Sequence, residues 1–224
     1  MSYVQRGERM TAGQQRAWDR QWADLGADVG ELPAGGLDTE AWFGRSAPLV
    51  LEIGSGMGET TARLAAADPA VDHLAVEVYK PGLAQLLLRA ESLELANLRL
   101  LRGDAVVLLR ERLAPSALAG VRIFFPDPWP KKRHHKRRLV QPGVVELIAS
   151  RLAPGGYLHL ATDWDHYAEQ MREVCDAEPA LRNRYADAAG GWAPRPSWRP
   201  VTKFENRAHD EGRVIHDLIY ERVP

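Results

Sequence analysis

From residue 48 onward, short apolar runs alternate with longer segments of mixed polarity. The runs at 49–53, 73–78, 98–101, 121–125 and 157–161 have the length of buried strands, and the segments 59–67, 81–93, 105–113, 142–152 and 165–175 have that of helices. Strand followed by helix, repeated along a chain, predicts a parallel sheet with right-handed crossovers. Pro154-Gly155-Gly156 supplies the turn before the fifth strand, and the β-branched and apolar stretch 214–220 predicts a final strand. Ahead of this region, Thr11-Ala12-Gly13-Gln14 has capping-box spacing and precedes a polar stretch carrying Trp18, Trp22 and Leu25, which predicts an N-terminal helix. The Gly- and Pro-containing stretch 26–36 reads as a loop or linker. The expected organisation is therefore an N-terminal arm and linker over 1–40 and a single domain over 41–224, without internal repeats.

Composition narrows the class. A chain of 224 residues that is 45% hydrophobic and 26% charged is expected to fold as one globular domain. No apolar run reaches the length that spans a bilayer, and Met1-Ser2-Tyr3-Val4-Gln5-Arg6 lacks the apolar core of a signal peptide, so a cytoplasmic location is expected, with no membrane partner. The single cysteine, Cys175, excludes an intrachain disulfide framework. No metal is expected at His134-His135, because the flanking cations repel a divalent ion and adjacent residues do not converge their imidazoles. Oligomeric state is left open by the sequence.

The net charge of -1 makes one segment stand out. Residues 125–138 place Asp127 and Trp129 beside the run Lys131-Lys132-Arg133-His134-His135-Lys136-Arg137-Arg138. Such a run attracts phosphates irrespective of sequence, while the ring offers a face to a base or wedges the loop, and the carboxylate accepts from base donors. A solvated surface loop is the plainer reading of a charge run. Here the loop follows the apolar run 121–125, at the carboxyl end of a buried strand, where open α/β sheets bind ligands.

A second signature lies at Leu51-Glu52-Ile53-Gly54-Ser55-Gly56-Met57-Gly58-Glu59, a strand running into a Gly-rich turn that opens a helix. Glycines there admit unusual dihedrals and close approach of a ligand to the main chain. Glu59 opposes a pyrophosphate at the helix start, which argues against a dinucleotide. A cationic or zwitterionic nucleoside fits better, with S-adenosylmethionine the obvious candidate. Glu52 lies in the strand before the glycines, Glu77 stands where an acid hydrogen-bonds ribose hydroxyls, and Asp104 follows the third strand, where it accepts from the adenine amine, caps the next helix, or does both.

Five separated blocks then resemble the tRNA (guanine-N7)-methyltransferases of the class I, S-adenosylmethionine-dependent type: 51–59, 76–82, 126–139, Thr162-Asp163-Trp164 with Tyr167, and Thr202-Lys203-Phe204-Glu205 with Arg207. The third and fifth blocks are specific to that family, whereas many methyltransferases share the glycine turn. The resemblance implies an α/β, Rossmann-like fold with a mostly parallel seven-stranded sheet, helices on both faces and an antiparallel C-terminal strand. It implies that Glu52, Gly54, Gly56, Glu77, Asp104 and Asp127 line the cofactor site, with Asp127 also catalytic. It implies that Lys131, Asp163, Thr202, Lys203, Phe204 and Glu205 meet the substrate, and that Arg133, His134, His135, Lys136, Arg137 and Arg138 engage RNA. The implied reaction is methylation of guanine N7 in the tRNA variable loop. Ser55 and Leu83-Ala84 depart mildly from the family pattern and bear only on pocket shape.

Three other readings compete: methylation of an exocyclic amine, since Pro126-Asp127-Pro128-Trp129 is loosely similar to acid-Pro-Pro-aromatic loops; a non-catalytic RNA-binding protein on the same fold; and a nicotinamide-dependent oxidoreductase, which Glu59 disfavours.

Overall fold

The computed structural model describes residue 7, residues 9–33 and residues 36–224, apart from the side chains of Lys203 and Phe204. The reading of Met1 to Arg6 falls outside the described residues. Along the chain the main elements are α1 (Ala12–Leu25), β1 (Gly26–Asp28), α2 (Thr39–Phe43), β2 (Leu49–Ile53), α3 (Glu59–Ala67), β3 (Asp72–Glu77), α4 (Lys80–Ser92), β4 (Leu98–Arg102) and α5 (Ala105–Val107), which runs on into a π-helical turn Leu108–Arg112. They continue with β5 (Leu118–Phe124), α6 (Pro142–Arg151), β6 (Leu152–Thr162), α7 (Asp165–Asp176), β7 (Leu181–Asn183), α8 (Lys203–Asp210) and β8 (His216–Arg222).

The strands form one sheet in the order β1-β4-β3-β2-β5-β6-β8-β7. All pairs from β1 through β6 are parallel, and β8 runs antiparallel to both of its neighbours. The expected architecture with its reversed C-terminal strand is present, with eight strands rather than seven. The additional strand is β1, in the stretch whose composition reads as a loop. Gly26, Ala27 and Asp28 pair with Leu100, Leu101 and Arg102, and the pairing is made by backbone groups over three residues, too few for side-chain alternation to announce it. Gly26 is required there, because a Cβ would lie 2.2 Å from the Trp22 ring. β7 is equally short, and its three residues carry no pattern that distinguishes a strand from a loop.

Period-two alternation fills both faces. β3 sends Leu74 and Val76 into the core formed with α5, α6 and α7, and Ala75 into the one formed with α1, α3 and α4. β2, central in the sheet, is buried along its whole length. The expected capping box at the start of α1 is formed, with Gln14 N donating to Thr11 Oγ1 at 3.2 Å and Thr11 N donating to Gln14 Oε1 at 2.9 Å. The strand order reverses between β2 and β5, and in doubly wound sheets the crevice at that switch point is where ligands bind. Among the described residues no helix is long and apolar enough to cross a membrane.

Candidate functional site

A cavity of about 410 Å³ opens at this switch point. Its wall brings together Glu52, Gly54, Gly56, Glu77, Asp104, Asp127 and Thr202, residues drawn from five separated stretches of the chain.

The glycine turn after β2 is left-handed at three positions, Gly54 (φ 78°), Gly56 (φ 56°) and Gly58 (φ 70°). A Cβ at Gly54 or Gly56 would meet nothing within 4 Å, so the main chain faces open space where a ligand can approach. Behind the turn the packing is tight: a Cβ at Gly82, in the first turn of α4, would lie 2.1 Å from the Gly56 carbonyl oxygen. Glu77 ties the turn to the end of β3, since its Oε2 accepts from Gly56 N at 2.9 Å and its Oε1 from Val78 N at 2.7 Å and Tyr79 N at 2.9 Å. Asp104 caps α5 by accepting from Val106 N through Oδ1 at 2.8 Å, and it also lines the cavity, so the cap does not take it off the cavity wall.

Glu52 is 5% exposed and its Oε2 has no hydrogen-bond partner among the described residues. Burial raises its carboxyl to about 7, a shift that the cross-strand Arg122 guanidinium partly opposes. A buried acceptor turned toward a cavity in this state suits a cationic ligand group, which would restore its charge.

Asp127 hangs between two strained residues. Phe125 (φ 51°) and Trp129 (φ 44°) both occupy the left-handed region, at a cost of about 1 to 3 kcal/mol each. With Phe125 in this conformation the chain leaves the end of β5, and Pro126 and Asp127 line the cavity. Trp129 packs within the loop itself, edge-on to His134 and under the Arg137 guanidinium, 5.0 Å from the ring centroid.

The cationic run forms a 3₁₀ turn, Lys132–Arg137. Lys131, Lys132, Arg133, Lys136 and Arg137 are exposed, and His134 and His135 half-buried. Both imidazoles are held below the ordinary histidine value by desolvation and the surrounding cations, so they are largely neutral at pH 7. Arg138, expected with its neighbours to engage RNA, does not share their exposure. It is 3% exposed, donating to the Pro128 carbonyl at 2.8 Å and to Gln170 Oε1 at 2.6 Å, with its guanidinium over the Tyr167 ring. Its charge fastens the loop to α7 rather than facing solvent.

The residues expected to meet the substrate divide in the same way. Thr202 lines the cavity and caps α8, accepting from Glu205 N through Oγ1 at 3.3 Å. Glu205 does not face the cavity: it is fully buried, and its carboxylate accepts from Arg195 and, at 2.8 Å, from Arg199 Nη1. Asp163 is paired with Arg213 at 2.7 Å, and Lys131 is exposed at the start of the cationic turn. Lys203 and Phe204 lie in the first turn of α8, and their side chains are outside the described residues. Gln85 and Arg89, on α4, also line the cavity, and no sequence motif marks them, because only the docking of α4 against the glycine turn shows which face they occupy.

Residues 46–218 match a family described as putative methyltransferases. The chain is 53% identical over 222 residues to a protein of Streptomyces coelicolor named tRNA (guanine-N(7)-)-methyltransferase, a match covering 99% of this chain and 80% of the relative. It is 52% identical over 229 residues to one of the same name from Nocardia farcinica, covering 99% and 84%. Among solved structures, the 16S rRNA methyltransferase KamB superposes with a TM-score of 0.57 at 19% identity, over 88% of this chain and 98% of that one. A 16S rRNA (adenine(1408)-N(1))-methyltransferase from Catenulisporales acidiphilia, solved with its cosubstrate SAM, gives 0.57 at 16% identity over 84% and 92%. At those identities the structural likeness speaks for the fold.

Proposed function

The chain belongs to the tRNA (guanine-N(7)-)-methyltransferase family, S-adenosylmethionine-dependent enzymes that methylate N7 of guanine in tRNA, and from that premise we propose that its target is the variable-loop guanine and that Asp127 is the residue meeting the purine. The observation that carries the assignment is the sharing of one cavity by Asp127 with Glu52, Glu77 and Asp104, while the exposed cations of the Lys132–Arg137 turn begin five residues further on.

S-adenosylmethionine supplies an electrophilic methyl group on a sulfonium. The residues present suit it: the buried acceptor of Glu52 for its positive charge, Glu77 for ribose hydroxyls, the second oxygen of Asp104 for the adenine amine, and the open main chain at Gly54 and Gly56 for close approach.

Guanine N7 carries an in-plane lone pair and no proton at neutral pH, so this chain needs no general base to create the nucleophile. Its task is placement, and holding two reactants in line is worth roughly 7 to 11 kcal/mol of the barrier. As positive charge appears on the purine, a carboxylate beside it interacts more strongly in the transition state than in the ground state. Asp127 fills that role, and it accepts from guanine N1–H and the exocyclic amine, which orients the base. Thr202, on the same wall, presents its hydroxyl to the base edge. Lys131 meets O6 or a phosphate, because a bidentate contact to O6 and N7 would block the nucleophile. Arg133, His134, His135, Lys136 and Arg137 meet phosphates, and these contacts supply affinity rather than base choice. Arg138 and Glu205 act one step back, holding the loop and α8 in place. In this reading the chain works in the cytoplasm on tRNA.

The direct test is transfer of labelled methyl from S-adenosylmethionine to unmodified tRNA, followed by nucleoside analysis. Label in 7-methylguanosine is the expected result. Label on an exocyclic amine would overturn the N7 assignment, and tight tRNA binding with no incorporation would favour a non-catalytic RNA-binding protein.

A further inference from the structure

The side chains around the cavity are unequally charged. Among the described residues five carboxylates line it, from Glu52, Glu59, Glu77, Asp104 and Asp127, against one basic side chain, Arg89. The cofactor has the complementary imbalance, a sulfonium and an ammonium beside a single carboxylate. The acids suit its cations and hydroxyls, and they repel its carboxylate. That group needs donors, and one face of α4 provides a cationic donor, Arg89, and a neutral amide donor, Gln85, together on the wall.

Arg89 is anchored there by its Nε, which donates to the Met57 carbonyl at 3.2 Å behind the glycine turn. Among the described residues its two terminal nitrogens have no other hydrogen bond, which leaves them to a ligand in the cavity that the residue lines. Gln85 lies one helical turn earlier on the same face of α4. Its amide orientation follows from groups whose roles are unambiguous. The Thr11 backbone N–H donates to Gln14 Oε1 at 2.9 Å, so Gln14 Nε2 is the donor, at 3.3 Å to the Pro81 carbonyl and at 3.2 Å to Gln85 Oε1. With its oxygen held by Gln14, Gln85 has its NH2 left for the cavity. The start of α3 adds to this wall: Gly58 at its N-cap provides no side-chain acceptor, and Glu59 pairs with Arg63 at 3.1 Å.

We propose that Arg89, with Gln85 held in register by Gln14, forms the subsite for the carboxylate of the cofactor's methionine moiety and makes the enzyme selective for a cofactor that carries it. The proposal rests on the S-adenosylmethionine reading of the cavity. Atoms of this subsite do not take part in methyl transfer; they bind and orient.

Equilibrium binding, which needs no turnover, tests it with two probes, S-adenosylmethionine and its decarboxylated analogue, against the wild type and Arg89→Met. Removing a charge-assisted hydrogen bond at such a site corresponds to roughly tenfold or more in Kd. The expected result is that Arg89→Met weakens S-adenosylmethionine by about that factor and leaves the decarboxylated analogue nearly unchanged, with Gln85→Met showing a smaller effect of the same kind. Equal weakening of both probes, or no weakening of either, would overturn the subsite while leaving the cofactor assignment intact. Failure of the wild type to bind S-adenosylmethionine at all would overturn the cofactor assignment and the subsite together. Circular dichroism of each variant guards against reading a folding defect as impaired binding.

Discussion

Arg199 and Asp217 meet at 2.9 Å with each side chain about 1% exposed, and the other arm of the same guanidinium holds Glu205 at 2.8 Å. Asp217 in turn accepts or shares a proton with His159 Nε2 at 2.7 Å, so the cluster joins β6, β8 and α8 through the interior. The Arg199 guanidinium also lies over the ring of Phe125, the residue of left-handed φ at which the chain leaves β5 for Asp127. One buried cation thus fixes both the α8 cap that carries Thr202 and the loop that carries Asp127. Removing it leaves Glu205 with Arg195 and Asp217 with His159, but takes from both buried carboxylates the one fully buried counter-charge they share, a loss of about 3 to 5 kcal/mol. Arg199→Met is expected to lower Tm on the order of 10 °C in a domain of this size, measured by thermal unfolding. Glu205→Gln is expected to reduce stability more than tRNA affinity; a variant of unchanged Tm that no longer binds tRNA would return Glu205 to the substrate.

That cluster also marks where the sequence ceases to be legible. The central strands and the acids at their ends can be read from it, because buried parallel strands are long apolar runs and their carboxyl ends are fixed by the turns that follow. Glu52, Glu77, Asp104 and Asp127 therefore converge as the sequence implies. Adjacency in sequence is no such guide. Thr202 and Glu205 share a motif and one helical turn, yet one lines the cavity and the other is buried, since residues three apart on a helix differ in exposure according to what packs over them. Arg138 ends a run of exposed cations and is itself inside, a difference made by α7 and not by the run. Gln85 and Arg89 look like ordinary polar positions on an amphipathic helix until Gly82 is seen to press that helix against the turn.

Asp127 bears on the chemical step. Asp127→Asn keeps the size of the side chain and its ability to accept, and it removes the charge that gains strength as the purine becomes cationic. The expected outcome is a fall in kcat of about a hundredfold, the scale seen when one electrostatic stabiliser of a transition state is removed. Cofactor Kd is expected to change little. Single-turnover methyl transfer separates the two, and an unchanged rate with intact cofactor binding would remove Asp127 from the chemistry.

The exposed cations of the Lys132–Arg137 turn and the buried Arg138 give opposite signatures. Neutralising Lys132, Arg133, Lys136 or Arg137 is expected to flatten the salt dependence of tRNA binding by about 0.7 to 0.9 in log–log slope for each phosphate no longer neutralised. The Arg138→Gln protein is expected to keep the slope set by the other cations and to lose thermal stability, because the Pro128 carbonyl and Gln170 are deprived of a shared donor. Filter binding across a salt series, with Tm measured in parallel, distinguishes the two roles.

Glu52 couples both stability and cofactor binding to pH. Burial holds its carboxyl near pH 7 in the folded chain, above the ordinary value of 4.5. Between those values the folded state binds more protons than the unfolded state, so this contribution to stability is present below about pH 4.5 and is lost as pH rises through 7. The shift corresponds to about 3 kcal/mol. His73 acts in the opposite direction, because burial lowers its imidazole to about 3 and stability is lost as pH falls from 6.5 toward that value. Total stability therefore mixes the two, and the difference between the wild type and Glu52→Gln isolates the carboxyl. Urea unfolding at pH 5, 6.5 and 8 is expected to show Glu52→Gln gaining on the wild type as pH rises, by up to about 3 kcal/mol. The same carboxyl links pH to the cofactor: positive charge beside Glu52 favours its ionised form, so binding releases a proton and affinity rises with pH up to about 7, then levels. Glu52→Gln, which has no proton to release, is expected to bind more weakly and without that pH dependence. Calorimetry in two buffers of different ionisation enthalpy counts the proton directly, and an equal heat in both at about pH 6.5 would show that Glu52 does not ionise on binding.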